Sequence, residues 1–183
     1  MSVLWIVLAL IVLQRLGELA YAYRNTELLR RRGGIESGAS HYPLIVLLHA
    51  AWLLSVAAFV PPSTPPVWPL LGVYAALQVV RVWIIVSLGP FWTTRVISVP
   101  NSALVRAGPY RLLRHPNYVV VCAEIATLPL AFHAIGIAIV FSVLNALLLR
   151  WRIRIEERAL AAHAGPPVQG RPLPGGKREQ RGV

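Results

Sequence analysis

Charged residues are scarce in this sequence, and two of the four charged types are almost missing. The 183 residues contain no aspartate and one lysine, so all seven acidic side chains are glutamate and the other bases are arginine. Only 14% of the residues are charged and 56% are hydrophobic, whereas a soluble domain carries about 25% charged residues. This deficit argues against a soluble globular domain and predicts an integral membrane protein.

Cysteine is also nearly absent. The single one, Cys122, lies in an apolar run, which excludes a disulfide framework and a cysteine-based metal site, so no metal is predicted. A cleavable signal peptide is not indicated, because no basic segment precedes the first apolar run and no small-residue exit site follows it. We expect this run to remain as a membrane anchor.

Five apolar segments predict an all-α, polytopic membrane fold. Crossing a bilayer takes about 20 apolar residues. The first segment is interrupted by Arg15 and Glu18, and the fourth is short and contains Glu124. The five predicted helices cover residues 2–23, 42–60, 67–89, 117–132 and 134–155.

The basic residues predict how the chain crosses the membrane. The second and fourth connections contain no Lys or Arg. With the N-terminus outside, five spans place all the other connections and the C-terminus in the cytoplasm, as the positive-inside tendency requires. We interpret the net charge of +11 as attraction to anionic lipid and not as a nucleic-acid site, which would need a basic face on a soluble domain. The bases outside the spans are Arg24, Arg30, Arg31, Arg32, Arg95, Arg106, Arg111, Arg114 and eight positions from Arg150 to Arg181.

The predicted domain organisation is simple. Residues 1–163 form a single transmembrane domain, whose motifs lie within residues 88–160. From residue 164 onward, a sequence rich in Pro and Gly with a charged end predicts a disordered basic tail. No segment singles out an oligomer interface.

The segment Gly108–Tyr118 is polar and basic between two apolar runs. Pro116 occupies the predicted first position of the fourth helix, where its missing N–H costs nothing. The free N–H groups and positive dipole of that helix end, with Arg114 and His115 beside them, suit an anion such as the carboxylate of an amino-acid-like cofactor. The alternative is a basic helix cap that meets lipid phosphate.

A second ionisable cluster ends the fifth apolar run. Arg152 and Glu156 are four residues apart and share a helix face, and Glu157 follows directly. Paired carboxylates are suited to holding ribose hydroxyls or an ammonium group. The alternative is an ordinary arginine-rich flank after a membrane span.

Glu124 is predicted to lie about 12 Å into the fourth span, at a rise of 1.5 Å per residue. Because an intramembrane carboxylate costs at least about 2.5–3.5 kcal/mol, it is expected to face a cavity or a partner. We interpret Glu124 as a functional residue, with a structural hydrogen bond to Asn145 as the alternative. Three further interpretations are structural: an Arg15–Glu18 ion pair, a snorkelling Arg81 and a packed His49.

The motif residues resemble the isoprenylcysteine carboxyl methyltransferase family. The matching pattern is Leu104-Val-x-x-Gly108-Pro-Tyr-Arg-x-x-Arg114-His-Pro-x-Tyr118, followed by Arg152-Ile-x-x-Glu156-Glu157-x-x-Leu160. The resemblance implies a helical membrane enzyme that uses S-adenosylmethionine on the cytoplasmic side, with a lipid substrate entering from the bilayer. The cofactor-binding residues it implies are Leu104, Val105, Gly108, Tyr110, Arg114, His115, Pro116, Tyr118, Glu156 and Glu157.

Other residues resemble a bacterial branch of this family, linked to O-methylation of alkylpyrone and alkylresorcinol lipids. They are the stretch Leu88-Gly-x-x-Trp92-Thr-Thr-Arg-Val96, together with Glu124 and Asn145, while Val119-Val-Val121 replaces a glycine typical of prenylcysteine enzymes. We therefore predict an inner-membrane O-methyltransferase of a lipophilic small molecule.

In this enzyme Glu124 is the predicted base, and Arg152 or Asn145 orients the acceptor oxygen. The alternatives are a prenylcysteine carboxyl methyltransferase, a phospholipid N-methyltransferase and a non-enzymatic membrane scaffold.

Overall fold

The computed structural model describes residues 2–37, 42–98 and 107–163, without the side chains of Ser37, Ser98 and residues 156–163. Five helices occupy the five predicted apolar segments, so the predicted helical architecture is confirmed. The predicted tail, residues 164–183, lies outside the described residues. The helices are α1 (Val3–Arg31), α2 (Tyr42–Phe59), α3 (Trp68–Leu88), α4 (Pro116–Ala131) and α5 (Ile135–His163).

Helix α1 is longer than predicted, because the segment after residue 23 continues the helix to Arg31. Asn25 explains part of this extension: its side-chain amide is buried and donates hydrogen bonds to the carbonyl oxygens of Gly89 and Trp92, at 3.2 and 2.9 Å. The helix ends before Gly33, whose φ of 79° is a conformation that glycine adopts without strain. The last turns of α1 are thereby attached to the loop after α3.

The all-α class predicted from the sequence needs one correction. Strands β1 (Ile35–Ser37) and β2 (Val96–Ser98) form an antiparallel ribbon in which Glu36 pairs with Ile97. Three-residue strands are too short for an alternating pattern to be recognised in the sequence. The ribbon joins the first and third connections, and therefore brings two arginine-rich segments to one end of the bundle, here called the basic end.

Ion pairs reinforce the ribbon. Arg30 at the end of α1 and Arg95 before β2 both donate hydrogen bonds to the carboxylate of Glu36. Burial alone would raise the pKa of Glu36, but the hydrogen bonds from Arg95 and Arg30 outweigh it and hold the pKa below its usual value. Because the folded-state pKa is lowered, this contribution to stability is present at neutral pH and is lost as the pH falls through that pKa.

Within the described part of the chain, four helices, α1, α2, α3 and α5, are long and apolar enough to cross a bilayer. Helix α4 has 16 residues, a length of about 24 Å against a hydrocarbon core of about 30 Å. It packs between α3 and α5, and half of its residues are buried, among them Val121, Ile125 and Leu128. Protein surrounds α4 more than it does the other helices, and its crossing of the membrane remains a prediction.

The main apolar core lies at the end of the bundle opposite the basic end. Leu4, Trp52, Leu128 and Phe132 belong to it, and the N–H of Val67 donates a 2.8 Å hydrogen bond to the carbonyl of Ala131. The polar loops and the motifs therefore lie together at the basic end, separated from the connections without arginine.

Candidate functional site

The two sequence motifs meet at the basic end. From α5, the Nε of Arg152 donates a 2.9 Å hydrogen bond to the hydroxyl of Tyr118 on α4, and its Nη2 donates to the carbonyl oxygen of Thr94 at 3.0 Å. The guanidinium carbon also lies 5.7 Å from the centre of the Tyr118 ring. The ends of α4 and α5 that carry the motifs therefore converge, with Arg152 joining α4, α5 and the loop before β2.

The first turn of α4 is organised as the sequence predicted. Pro116 occupies its first turn, and His115 is the non-helical cap with φ −131°. The rings of His115 and Tyr118 stack with centroids 5.2 Å apart and planes inclined by 13°. The stacked pair lies at the helix end whose free N–H groups favour a negative charge.

Gly108 sets the position of the loop that leads into this turn. Its φ is 52°, and a Cβ atom there would lie 2.2 Å from the Oγ of Ser87 and 3.2 Å from the Nε1 of Trp83. The motif glycine is thus needed both for its backbone conformation and for the close approach of the loop to α3.

We expect Gly108→Ala to destabilise the protein more than Gly89→Ala does. Gly89 has a matching φ of 53° but open space around its Cβ position, so its variant costs only the backbone strain of about 1–2 kcal/mol. The steric overlap at Gly108 adds about 1–3 kcal/mol. Thermal unfolding in detergent measures the difference, and equal losses in the two variants would show that the contact with Ser87 is unimportant.

A cavity of about 460 Å³ adjoins the motif residues, within the volume range of small-molecule sites. At the basic end it is lined by Thr94, Asn117, Tyr118 and Arg152. Apolar side chains of α1 and α2 form most of the remaining wall, and several of them are exposed on the outer surface of the bundle, so the cavity opens sideways between these two helices. The exposed wall residues are Val12, Leu16, Val46 and Leu54.

Two buried polar atoms belong to residues that line the cavity and have no hydrogen-bond partner among the described residues. One is the indole N–H of Trp92, a donor on a side chain that is 5% exposed, and the other is the Oδ1 of Asn117, an acceptor. Buried polar groups are normally paired. The two atoms are therefore available to a ligand that has both an acceptor and a donor near the start of α4.

An ionic cluster of side chains from α1, α3 and α4 borders this cavity. It contains the two carboxylates of Glu18 and Glu124 and the two guanidinium groups of Arg15 and Arg81, so its net charge is zero. Glu124 accepts hydrogen bonds from Arg15 at 2.8 Å, from Gln78 at 2.9 Å and twice from Arg81. Arg15 and Arg81 also donate to Glu18, at 2.8 and 3.3 Å.

Comparison with known proteins identifies the family. The family model described as isoprenylcysteine carboxyl methyltransferase matches residues 70–162, which comprise nearly all of α3, the motif loop, α4 and nearly all of α5. The chain belongs to the isoprenylcysteine carboxyl methyltransferase family. It is also 40% identical over 164 residues to the uncharacterized protein YpbQ of Bacillus subtilis strain 168, an alignment that covers 87% of this chain and 98% of YpbQ. No solved structure matches the chain.

Membership in the isoprenylcysteine carboxyl methyltransferase family indicates a membrane methyltransferase. Of the site residues expected for it, Tyr118, Asn145 and Arg152 line the cavity. Tyr110 instead packs against the buried cluster that contains Ile84 and Trp92. Arg114 is exposed and His115 is half-buried. Leu104 and Val105 lie outside the described residues, as do the side chains of Glu156 and Glu157.

Several structural interpretations of charged residues change with the tertiary structure. Arg81 does not snorkel: it is 3% exposed and bonded to Glu124 and Glu18. The Arg15–Glu18 pair exists, but as part of the larger cluster. Asn145 donates to the Sγ of Cys122 at 3.4 Å and not to Glu124, so the alternative of a Glu124–Asn145 bond is wrong. These outcomes depend on which helices are neighbours, which the sequence does not show.

Three residues line the cavity although the sequence does not indicate it. Trp92 and Asn117 were seen only within motifs, and His49 was interpreted as packed, although it is partly exposed and lines the cavity. An aromatic residue followed by two threonines directly after a span was the available signal for Trp92. For His49 the sequence offers no signal, because the cavity that it lines arises from the separation of α1 and α2 in the folded bundle.

Proposed function

We propose that this protein is an S-adenosylmethionine-dependent membrane methyltransferase that O-methylates a lipophilic small molecule. One observation carries the proposal: a single cavity is lined at one end by the motif residues Tyr118 and Arg152 and along its length by apolar residues that reach the bundle surface. A polar donor and a lipid acceptor can thereby enter from opposite directions and meet.

The described residues fit S-adenosylmethionine at the basic end. The donor on Trp92 and the acceptor on Asn117 suit a molecule that has carboxylate oxygens, an ammonium group and a nucleoside. The start of α4 favours the carboxylate, and Glu156 and Glu157, which follow Arg152 by one turn, are the proposed partners of the ribose hydroxyls or the ammonium group. When bound, this cofactor supplies an activated methyl group.

The acceptor is proposed to be an alkylpyrone or alkylresorcinol, as the bacterial-type residues suggest. Such a molecule has a flat polar head and an alkyl tail. The opening between Leu16 on α1 and Leu54 on α2 would leave the tail in the bilayer while the head enters the cavity. Asn145 and Arg152, which both line the cavity, are the proposed groups that orient the acceptor oxygen.

The proposed topology has five spans in the cell membrane, with the N-terminus outside and the active site facing the cytoplasm. Its support is the distribution of arginine, because the ribbon brings the first and third connections to the end of the bundle where Arg152 lies. Clustered bases of this kind stay on the cytoplasmic side.

We expect Glu156→Ala and His115→Ala each to weaken the binding of S-adenosylmethionine about 10- to 100-fold. The reason is the loss of a hydrogen bond to a charged group, which contributes about 1.5–3 kcal/mol. Isothermal titration calorimetry of the purified protein measures the change. Glu27→Ala, at an exposed helix position outside the cavity, is the matched control, and affinities equal to that of the control would remove both residues from the site.

The decisive experiment for the function combines purified protein, labelled S-adenosylmethionine and a lipid extract of the native cell. The expected product is a labelled methyl ether of a tailed phenol or enol. A labelled methyl ester or a methylated headgroup would replace the proposed acceptor by a prenylcysteine or a phospholipid. Failure to bind S-adenosylmethionine would refute the proposal itself.

A further inference from the structure

His49 and Asn145 lie at a similar depth in the cavity. His49 follows Tyr42, at the start of α2, by seven residues, and Asn145 precedes Arg152 on α5 by seven. At 1.5 Å per residue both are about 10 Å along their helices from the polar end. All four residues line the cavity. The cavity thus has a second, deeper polar layer formed by His49 and Asn145, in addition to the motif residues proposed to bind the methyl donor.

The hydrogen bond of His49 determines its tautomer. Its Nδ1 lies 2.8 Å from the carbonyl oxygen of Ile45, and a carbonyl oxygen only accepts, so Nδ1 carries the hydrogen. In the neutral ring Nε2 then holds a lone pair. No group in the described part of the chain is bonded to Nε2, and an edge-to-face contact with Trp52, 6.5 Å between centroids, limits rotation of the ring. His49 is therefore a base held in one tautomer.

Glu124 differs from His49 in two ways: it has no access to the cavity, and its proton-accepting oxygens are already hydrogen-bonded. It is 2% exposed and does not line the cavity, and its two oxygens accept hydrogen bonds from Arg15, Gln78 and Arg81. Taking a proton would weaken these bonds and leave the two guanidinium groups with Glu18 as their remaining counter-charge in the cluster. In contrast, His49 lines the cavity together with Arg15, whose positive charge stabilises an acceptor oxygen that becomes negative.

We propose that the Nε2 of His49 is the base that removes the proton from a hydroxyl acceptor during methyl transfer. This inference rests on the proposed function. The proton moves from the acceptor hydroxyl to Nε2, the oxygen–methyl bond forms, and the electron pair of the broken methyl–sulfur bond remains on sulfur. The imidazolium then releases its proton to water through the polar end of the cavity. A carboxylate acceptor needs no such base, so His49 specifies a phenol or enol.

The first test is His49→Asn in the full-length protein, with a tailed hydroxypyrone as acceptor. Asn keeps a donor for the carbonyl of Ile45 but has no basic nitrogen. We expect kcat to fall by about 10²–10⁴-fold, with unchanged affinity for S-adenosylmethionine. The matched control is His133→Asn on the exposed turn before α5, where φ is 60°, a conformation that Asn tolerates. Unchanged kcat in His49→Asn would overturn the proposal.

The second test does not depend on turnover. An alkyl-tailed nitrophenol is titrated with the protein, and its visible absorption reports the fraction present as phenolate. We expect the wild-type protein and His133→Asn to raise this fraction relative to detergent alone, and His49→Asn to raise it less. If His49→Asn does not fold, the wild-type titration decides, because a phenolate fraction equal to that in detergent overturns the proposal.

Failure of the inference and failure of the proposed function give different results. A wild-type protein that binds S-adenosylmethionine and methylates the pyrone, while His49→Asn does so equally well, keeps the proposed function and removes His49 as the base. A wild-type protein that neither binds the cofactor nor methylates any hydroxyl acceptor overturns both, before any variant is made.

Discussion

Glu124→Gln is expected to lower the free energy of unfolding by about 3–5 kcal/mol, the cost of breaking a buried ion pair by removing one partner. The substitution preserves the shape of the side chain but removes its charge. Arg81, 3% exposed and bonded twice to Glu124, would lose its main counter-charge in a buried position. Arg15 would lose one of its two carboxylate partners.

Glu27→Gln is the matched control for this experiment. Glu27 also pairs with an arginine, but the side chains of Glu27 and Arg31 are 49% and 76% exposed. An exposed pair of this kind contributes about 0–1 kcal/mol. Unfolding in mixed detergent micelles with increasing SDS measures both variants. Equal stability of the two would show that the ionic cluster is not a structural element of the bundle.

The Glu124→Gln variant also distinguishes a structural role of Glu124 from a catalytic one. A protein that unfolds easily supports the structural role argued from its hydrogen bonds. A Glu124→Gln protein that is as stable as the wild type and binds S-adenosylmethionine, but has lost turnover, would instead support the role of base predicted from the sequence.

Arg152→Lys is expected to lower kcat/KM by about 10²-fold or more, the effect of a small misplacement at a catalytic site. Arg152 donates at once to the hydroxyl of Tyr118 and the carbonyl of Thr94, through two nitrogens of one planar group. Lysine keeps the positive charge but lacks the planar, forked arrangement of N–H donors that lets arginine bond to both oxygens. The three segments that form the polar end of the cavity would then lose their common contact.

Arg154→Lys provides the comparison, because Arg154 lies two residues further along the same helix and is exposed. Steady-state kinetics with saturating S-adenosylmethionine measures both variants, and circular dichroism confirms that both are helical. If Arg152→Lys retains the activity of Arg154→Lys, charge alone suffices at this position, and the geometry of the fork has no role.

Much of the fold could be predicted from the sequence, because the helices follow apolar runs that are read directly from hydropathy. Pro116 marked the start of α4, and the two motifs were recognised at the ends of neighbouring apolar segments. The extension of α1 could not be predicted, because residues such as Asn25 are polar and become buried only when the loop after α3 covers them. The β-ribbon was too short to leave a periodic signal.

The candidate site was predicted only in part for a related reason. Asn145 and Arg152 are seven residues apart and could be placed on one face of α5 by counting helical turns, while Tyr118 was implied by the family resemblance. His49 and Trp92 belong to segments far away in the chain, and nothing in their local sequence shows which cavity they line. Their contribution depends on the spacing between α1 and α2.

The sequence by itself determined the membrane setting, the positions of the helices and the two motifs that define the family, because hydropathy, proline and charge act locally along the chain. Only the tertiary structure decided the partners of the buried charges. Hydropathy indicates that Glu124 needs a positive partner, but α1 and α3 each offer one. In the structure both arginines bond to Glu124, which depends on how each helix is rotated about its axis, and packing of the whole bundle sets that rotation.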